Sequence, residues 1–413
     1  MARPSFFLIS SLLLNAALFA ALLHLLLRTG AAAVLPAAAA LALSAAVPAM
    51  HAGSSGAPAD FLPLHPLSRF RGVPTRMVMY DDLDAAAVAA TEPMRWGGRG
   101  AVAFVSGNEW MVDFMLNEML HMAQHAVPFS MLWVPLDEGA VSRLRASGNG
   151  SAYAGVSKSG RFVGHRSDFR NREYNSMSLF KWEFSLQLLE RGYDVFMLDP
   201  DLVIKRNPLP YIETLGDCDF YSSLDSVDFE PTGPAVREKG GYVCHDKKIA
   251  DNYYNTGGVF MRARPRTIAW LRGYFAWASS EFASGSTDDD QVLFNRYVND
   301  HHVMRMTDVL GKTASTGAYT SRQVMSNGCL AYAARREGAI AAADVTSENL
   351  TAVTMYPLNP YLFPNSRHVD SLTDKILHRP YWWHANWVHG GGKQGMIAAR
   401  GDWLVPAVAT TSL

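Results

Sequence analysis

The segment Val195–Ile204, VFMLDPDLVI, sets two carboxylates two positions apart inside an apolar run. Val195 to Leu198 form the unbroken hydrophobic stretch of a strand covered on both faces. Pro200 has no N–H to give to a ladder, so regular pairing must end at or before it. Asp199 and Asp201 therefore fall at the carboxyl end of a central strand, the edge at which open α/β sheets bind ligands. In extended chain, residues two apart point the same way. Like charges so placed repel, and a divalent cation between them removes that cost. The spacing points to a metal site; a pair of acids in a solvated turn is the plain alternative.

Four more stretches carry chemistry. Lys181 lies on the apolar stripe of Met177, Phe180, Phe184 and Leu188. A buried cation needs an anion to meet it. An anionic ligand near the acid pair would serve; a lysine whose stem packs while its head reaches water is the alternative. In NYYNTGGVFM (Asn252–Met261), Gly257 and Gly258 let backbone approach a ligand, and Asn255 and Thr256 can bond sugar hydroxyls. An ordinary turn into a strand accounts for the same residues. In GSTDDDQVLFN (Gly285–Asn295), Thr287 reads as a helix N-cap with acids in the first turn. Three consecutive acids exceed what a cap needs, which leaves Asp290 and Gln291 to face a reaction centre. In PYWWHANWVHGGGKQ (Pro380–Gln394), His384 and His389 can each ligate a metal. Gly390 to Gly392 followed by Lys393 read as an anion-binding loop with the lysine as a point charge. An aromatic core segment with a satisfied histidine is the rival reading.

The elements that must position these residues alternate strand and helix. Ala101–Val105 is a short apolar strand, and Ser106, Gly107 and Asn108 turn out of it. Met111–Ala126 carries methionines at helical spacing, and Ser130–Val134 is a second strand. This β-α-β unit implies a parallel sheet. A polar loop is expected over 137–168, then a helix from Ser176 to Arg191 stopped by Gly192. VFMLDPDLVI is then the third strand.

The chain has 413 residues, 49% hydrophobic and 18% charged, with net charge -1. No Lys/Arg stripe appears, so nucleic acid is not an expected partner. With three cysteines, Cys218 and Cys244 can pair and leave Cys329 free, or all three can be buried thiols. Phe6–Leu27 is apolar and long enough to cross a bilayer, longer than the core of a secretory signal peptide. Residues 1–28 are expected to form a short cytoplasmic tip and signal-anchor, and residues 29–98 an Ala/Gly/Pro-rich stem. One catalytic domain follows over 99–405, with a tail over 406–413. Two sequons, at Asn149 and Asn349, suit a lumenal domain.

Taken in order, the strand ending in D-x-D, then N-T-G, then D-Q-x-x-x-N, then H-A-N-W with a later lysine resemble the nucleotide-diphospho-sugar transferases of the GT-A fold. The chain is most similar to glycosyltransferase family 77, the plant and algal xylosyl-, arabinosyl- and galactosyltransferase group. The resemblance implies a Rossmann-like, mostly parallel sheet flanked by helices. It implies that Asp199 and Asp201 hold Mn²⁺ (or Mg²⁺) and through it the donor diphosphate, with His384 completing the metal shell. It assigns donor binding to Ser106, Gly107, Asn108, Lys181, Asp199, Asn255, Thr256, Gly257 and Lys393, and reaction-centre roles to Asp290 and Gln291. It implies a UDP-sugar donor, a glycan or glycoprotein acceptor, retention at the anomeric carbon, and a single-pass type II protein of the Golgi membrane. A non-catalytic lumenal sugar-binding protein of the same fold is the alternative. A haloacid-dehalogenase-type phosphatase is a further one, because such enzymes also begin with an apolar strand and D-x-D.

Overall fold

The computed structural model describes residues 76–127, 130–162, 172–225, 254–307, 313–314, 330–334, 353–358, 362–366, 380–386 and 391–405. In chain order these hold β1 (Met77–Tyr80), α1 (Leu83–Ala89), β2 (Thr91–Glu92), β3 (Ala101–Gly107), α2 (Val112–Gln124), β4 (Leu132–Pro135), α3 (Glu138–Ser147) and β5 (Gly150–Tyr153). Then come α4 (Arg172–Glu190), β6 (Asp194–Leu198), β7 (Leu202–Ile204), α5 (Leu209–Ile212), β8 (Phe220–Leu224), β9 (Tyr254–Met261), α6 (Pro265–Ala283) and α7 (Asp290–His301). The remainder is β10 (His302–Thr307), β11 (Thr313–Ala314), β12 (Leu330–Ala334), β13 (Val353–Pro357), β14 (Trp382–His384) and α8 (Gly391–Ala399).

One large sheet runs β1-β5-β4-β3-β6-β9-β8-β13-β12-β10-β11, with β2 beside β3. From β1 to β6 every neighbour is parallel, as the β-α-β reading expects. Beyond β6 the sheet is mixed: β9 is antiparallel to both β6 and β8, and β8 is parallel to β13. The fold is thus α/β with parallel strands leading into the site.

The apolar run of β6 follows from its position. Both its edges are paired, to β3 and to β9. Val195 and Met197 point into one buried cluster with Phe180, Phe184 and Leu188 of α4. Phe196 and Leu198 point into the other, with Met115 and Met119 of α2. A strand with helices on both faces has no side left to be polar. Gly192, at φ +84, closes α4 as the sequence expects: its N–H bonds the Leu189 carbonyl at 2.9 Å.

Three expectations are corrected. Residues 77–92, assigned to the stem, are structured: β1 pairs in parallel with β5, and α1 packs Leu83, Ala86 and Ala87 into the core. The expected loop after β4 holds α3, capped by Asp137, and β5. VFMLDPDLVI is two strands, because the chain turns at Pro200 and β7 leaves the main sheet to pair antiparallel with β14. The proposed anchor (1–28), most of the stem, the tail (406–413), His389, Gly390, Cys244 and Cys329 lie outside the described residues. Cys218 is disulfide-bonded. No helix among the described residues is long and apolar enough to cross a membrane.

Candidate active site

The turn at Pro200 builds the site. The Asp199 N–H bonds the Gly257 carbonyl at 2.7 Å, which ties the end of β6 to β9. The Leu202 N–H closes the turn on the Asp199 carbonyl at 3.3 Å. β7 then pairs with β14 so that Leu202 lies opposite His384. That register lays the imidazole against the acids: Nε2 is 3.2 Å from Asp201 Oδ1 and 3.7 Å from Asp199 Oδ2. One ligand atom from each of the three residues lies within 4.8 Å of the others. A dication with bonds of about 2.0–2.5 Å spans such separations, and carboxylate plus imidazole donors suit Mn²⁺ or Mg²⁺. The donor set fits the group that the sequence implies.

Two lysines flank the acids. Lys181, 7% exposed, reaches from α4 to Asp199 Oδ1 (2.8 Å), Asp290 Oδ2 (2.9 Å) and the Thr256 carbonyl (3.2 Å). Its place on an apolar stripe is thereby explained by two protein carboxylates. Burial alone would discharge it, but Asp199 and Asp290 more than offset that and hold the ammonium above its ordinary range. Lys393, on α8, lies 2.5 Å from Asp201 Oδ2. Burial opposes the Asp201 carboxylate, yet Lys393 and then His384 hold it well below the usual carboxylate range. Burial and the neighbouring Asp199 push Asp290 upward, against the pull of Lys181.

The glycines of NTGG serve a close approach, but the partner is a side chain. A Cβ at Gly257 would sit 2.1 Å from His384 Cε1, and one at Gly258 would sit 2.8 Å from Trp382 Cζ2. Gly257 is therefore a seat for the histidine. Asn255 Oδ1 faces His384 Nδ1 at 3.0 Å, and the Thr256 N–H donates to Gln291 Oε1 at 3.2 Å.

The three acids before α7 divide their work. Asp288 pairs with Arg296 at 2.7 Å; Asp289 Oδ1 accepts the Val292 N–H at 2.8 Å and caps the helix; Asp290 holds Lys181. The cap is Asp289, where the sequence suggested Thr287. Asp290 also accepts the Trp182 indole N–H at 3.1 Å and is buried. Ser106 and Gly107 end β3 opposite Val134 and Pro135, and Asn108 is buried beside them. Lys393 belongs to a helix that begins at Gly391, so Gly391 and Gly392 are helical where the sequence suggested a loop.

Past β3 opens a cleft of about 410 Å³ whose walls include Trp110, Phe114 and Trp403, with Glu109, Asp113 and Gln394 on its rim. Gln394 of this cleft follows Lys393 on α8, the helix whose lysine meets Asp201. The strap after α8 is pinned at Asp402. Its carboxylate accepts from Trp383 Nε1 (2.8 Å) and Lys205 Nζ (3.1 Å), and its carbonyl from Asn117 Nδ2 (3.1 Å) and His121 Nε2 (2.6 Å).

Sequence reasoning missed three contributors. Asp402 carries no local signal. Asp225 follows the buried strand FYSSL as Asp199 follows VFML, but two serines interrupt the apolar run there. Glu118, on the buried face of α2, is 0% exposed and neither oxygen has a hydrogen-bond partner. Burial first, and then Asp201 and Asp199, push its carboxyl well above the ordinary range, so it is held neutral.

The sequence profile of the nucleotide-diphospho-sugar transferase family matches residues 129–396, more than half of the chain. The chain belongs to that family, and it is a glycosyltransferase. The phosphatase alternative is thereby set aside. No curated protein matches the sequence. Solved structures with a similar fold include the galactosyltransferase LgtC, crystallised with donor and acceptor sugar analogues. It is 12% identical, with 75% of this chain and 97% of that chain covered and a TM-score of 0.38. Another is a glycosyltransferase involved in glycosylation of the major capsid of PBCV-1, at 9% identity, 72% and 98% coverage and TM-score 0.33. The glycosyltransferase GlyE of Streptococcus pneumoniae TIGR4 is 13% identical over 51% of this chain and 44% of that chain, with TM-score 0.31.

Proposed function

We propose that the protein transfers xylose, galactose or arabinose from a UDP-sugar to a glycan or glycoprotein, with retention, in the manner of glycosyltransferase family 77. The observation that carries this reading is the convergence of Asp199, Asp201 and His384 at the end of β6, with Lys181 and Lys393 on either side. A nucleoside diphosphate leaves as an anion, and preorganised cations at its position lower the barrier to departure. A bound Mn²⁺ or Mg²⁺ would be held by Asp199, Asp201 and His384 and would act as a Lewis acid on the departing oxygens. Lys393, already at the rim beside Asp201, is placed to share that anionic charge. Lys181 is occupied by Asp199 and Asp290, so its work is to hold those carboxylates in place.

The cleft past β3 suits the nucleoside half of the donor. The Trp110 ring offers a stacking face and Glu109 offers acceptors to ribose hydroxyls, while Asp113 of the same cleft is paired with Arg143. Asp290, buried and held by two donors, is a weak nucleophile candidate; Gln291, half-buried at the same centre, favours front-face attack. We further propose that residues 1–28 anchor the chain as a type II Golgi membrane protein with this domain in the lumen.

The test is UDP release from a panel of UDP-sugars by the full chain, with Mn²⁺ supplied and then chelated. One donor should give metal-dependent release that rises with acceptor. Asp199→Ala should lose it while the circular dichroism spectrum is kept. Donor binding without turnover on any acceptor would point to a non-catalytic sugar-binding protein, and wild-type rates in Asp199→Ala would refute the site.

A further inference from the structure

Asp225, buried at the end of β8, collects four carboxamides. Asn255 Nδ2 (3.1 Å), Asn365 Nδ2 (3.3 Å) and Asn386 Nδ2 (2.6 Å) meet Oδ1, and Gln291 Nε2 (2.8 Å) meets Oδ2. These amides come from four separate segments: β9, residues 362–366, the residues just after β14, and α7. An ionised carboxylate only accepts, so each amide must turn its NH₂ inward and present its oxygen on the far side. For Asn255 a second bond checks the assignment: the Gly257 N–H donates to Oδ1 at 2.9 Å. That same oxygen faces His384 Nδ1 at 3.0 Å. An amide oxygen cannot donate, so Nδ1 must carry the proton. With Nδ1 committed to Asn255, Nε2 is the nitrogen left to ligate, and it is the atom that faces Asp201 and Asp199.

We propose that Asp225 is a positioning residue that fixes the tautomer of His384 through Asn255, so that Nε2 is presented to the metal. The proposal rests on the metal-dependent reading above, but the tautomer can be measured without any metal. A partner on the far nitrogen of a metal-binding histidine sets which nitrogen ligates and typically changes metal affinity by about 10- to 100-fold. Among the bonds of this network Asp225 reaches the imidazole through Asn255, and it reaches the backbone of the His384 segment through Asn386 and Asn365, so Asn255→Leu isolates the ring route. The same carboxylate aims Gln291, whose Oε1 holds the Thr256 N–H.

The experiment uses the full chain labelled with ¹⁵N-histidine, read by long-range proton–nitrogen spectra across a pH series that takes the ring to its neutral form. His384 is identified by the signal lost in His384→Gln. Wild type should show His384 protonated at Nδ1. Asp225→Ala should lose that preference and bind Mn²⁺ about 10- to 100-fold more weakly by electron paramagnetic resonance titration. In Asp225→Ala/Asn255→Asp the carboxylate moves one link along the chain and meets Nδ1 directly. This double variant should recover the tautomer and most of the Mn²⁺ affinity, yet not the turnover, because Gln291 stays unaimed. Should Asp225→Ala fail to fold, Asn255→Leu cuts the same link, leaves Asp225 three of its amides, and should show the same loss at His384. An unchanged tautomer and Mn²⁺ affinity in Asp225→Ala, or a double variant no better than the single one, overturns the proposal. A wild type that shows the Nδ1–H tautomer but takes up no Mn²⁺ overturns the metal reading and leaves the role of Asp225 supported.

Discussion

Gly257→Ala puts the placement of His384 to a direct test. The new Cβ would fall 2.1 Å from Cε1, 2.6 Å from Nδ1 and 2.9 Å from Nε2 of the imidazole. Carbon atoms in contact sit about 3.5 Å apart, so ring or strand must yield by about 1.4 Å. The strand is the stiffer partner. Gly257 lies inside β9, its carbonyl holds the Asp199 N–H at 2.7 Å, and β9 is paired on both edges. The ring therefore moves, away from Asn255 and from the acid pair. A misplacement near 1 Å at a reacting centre costs on the order of 100-fold in rate. Metal affinity should fall with the rate, by about 10- to 100-fold. The assay pairs a Mn²⁺ titration with metal-dependent UDP release. Gly258→Ala is the control: its Cβ meets Trp382 at 2.8 Å, in the core, so it should lower the melting temperature more than it lowers metal affinity. Wild-type Mn²⁺ affinity and turnover in Gly257→Ala would show that His384 does not need its seat on β9, and the site as drawn would fail.

Other consequences follow from the same charges. Lys181→Met should destabilise the fold by about 3–5 kcal/mol, because Asp199 and Asp290 lose their shared cation. Adding Asp290→Asn should recover part of that stability in urea melts without recovering transfer; no recovery would argue against the ion triad. Glu118→Gln tests the neutral acid on α2. The folded carboxyl is raised, so above the unfolded value near 4.3 the folded state holds the extra proton, and stability falls as pH rises, by up to about 1.4 kcal/mol per pH unit. The variant should gain on wild type steadily from about pH 5 upward, and parallel melting curves across that range would contradict a buried neutral Glu118. For Asp201 the sign is opposite. Its folded carboxyl is depressed, so its stabilisation is present above the unfolded value near 3.9 and is lost as pH falls through the lower folded value. Asp201→Asn should therefore flatten the acid limb of the stability profile, and an unchanged acid limb would count against the pairing with Lys393 and His384.

The local pattern of residues marked most of the site. Unbroken apolarity from Val195 to Leu198, ended by Pro200, was enough to place Asp199 and Asp201 at a strand's end. Lys181 was conspicuous because a cation on an apolar stripe requires an anion. Asp225 also follows a buried strand, but the serines of FYSSLD break the apolar run that marked Asp199. Glu118 stood on the buried side of a helix that packs methionines on the sheet, yet one acid among apolar residues does not reveal whether it is paired, neutral or turned to water. The helix and strand of residues 138–153 were hidden in polar, Gly- and Ser-rich sequence that reads as loop, since a short capped helix and a four-residue strand hold few apolar residues.

By itself the sequence determined the chemistry on offer: carboxylates at a strand end, two histidines and two lysines. Only the tertiary structure decided which of them meet. His384 stands 183 residues from Asp201 and reaches it because β7 leaves the sheet and pairs with β14. Lys181 turned out to face two protein carboxylates, and the glycines of NTGG to make room for a side chain. The physical reason is one of range. Propensity and periodicity act over a few residues, whereas ion pairing and close contact depend on distances set by strand register, which no short window of sequence contains.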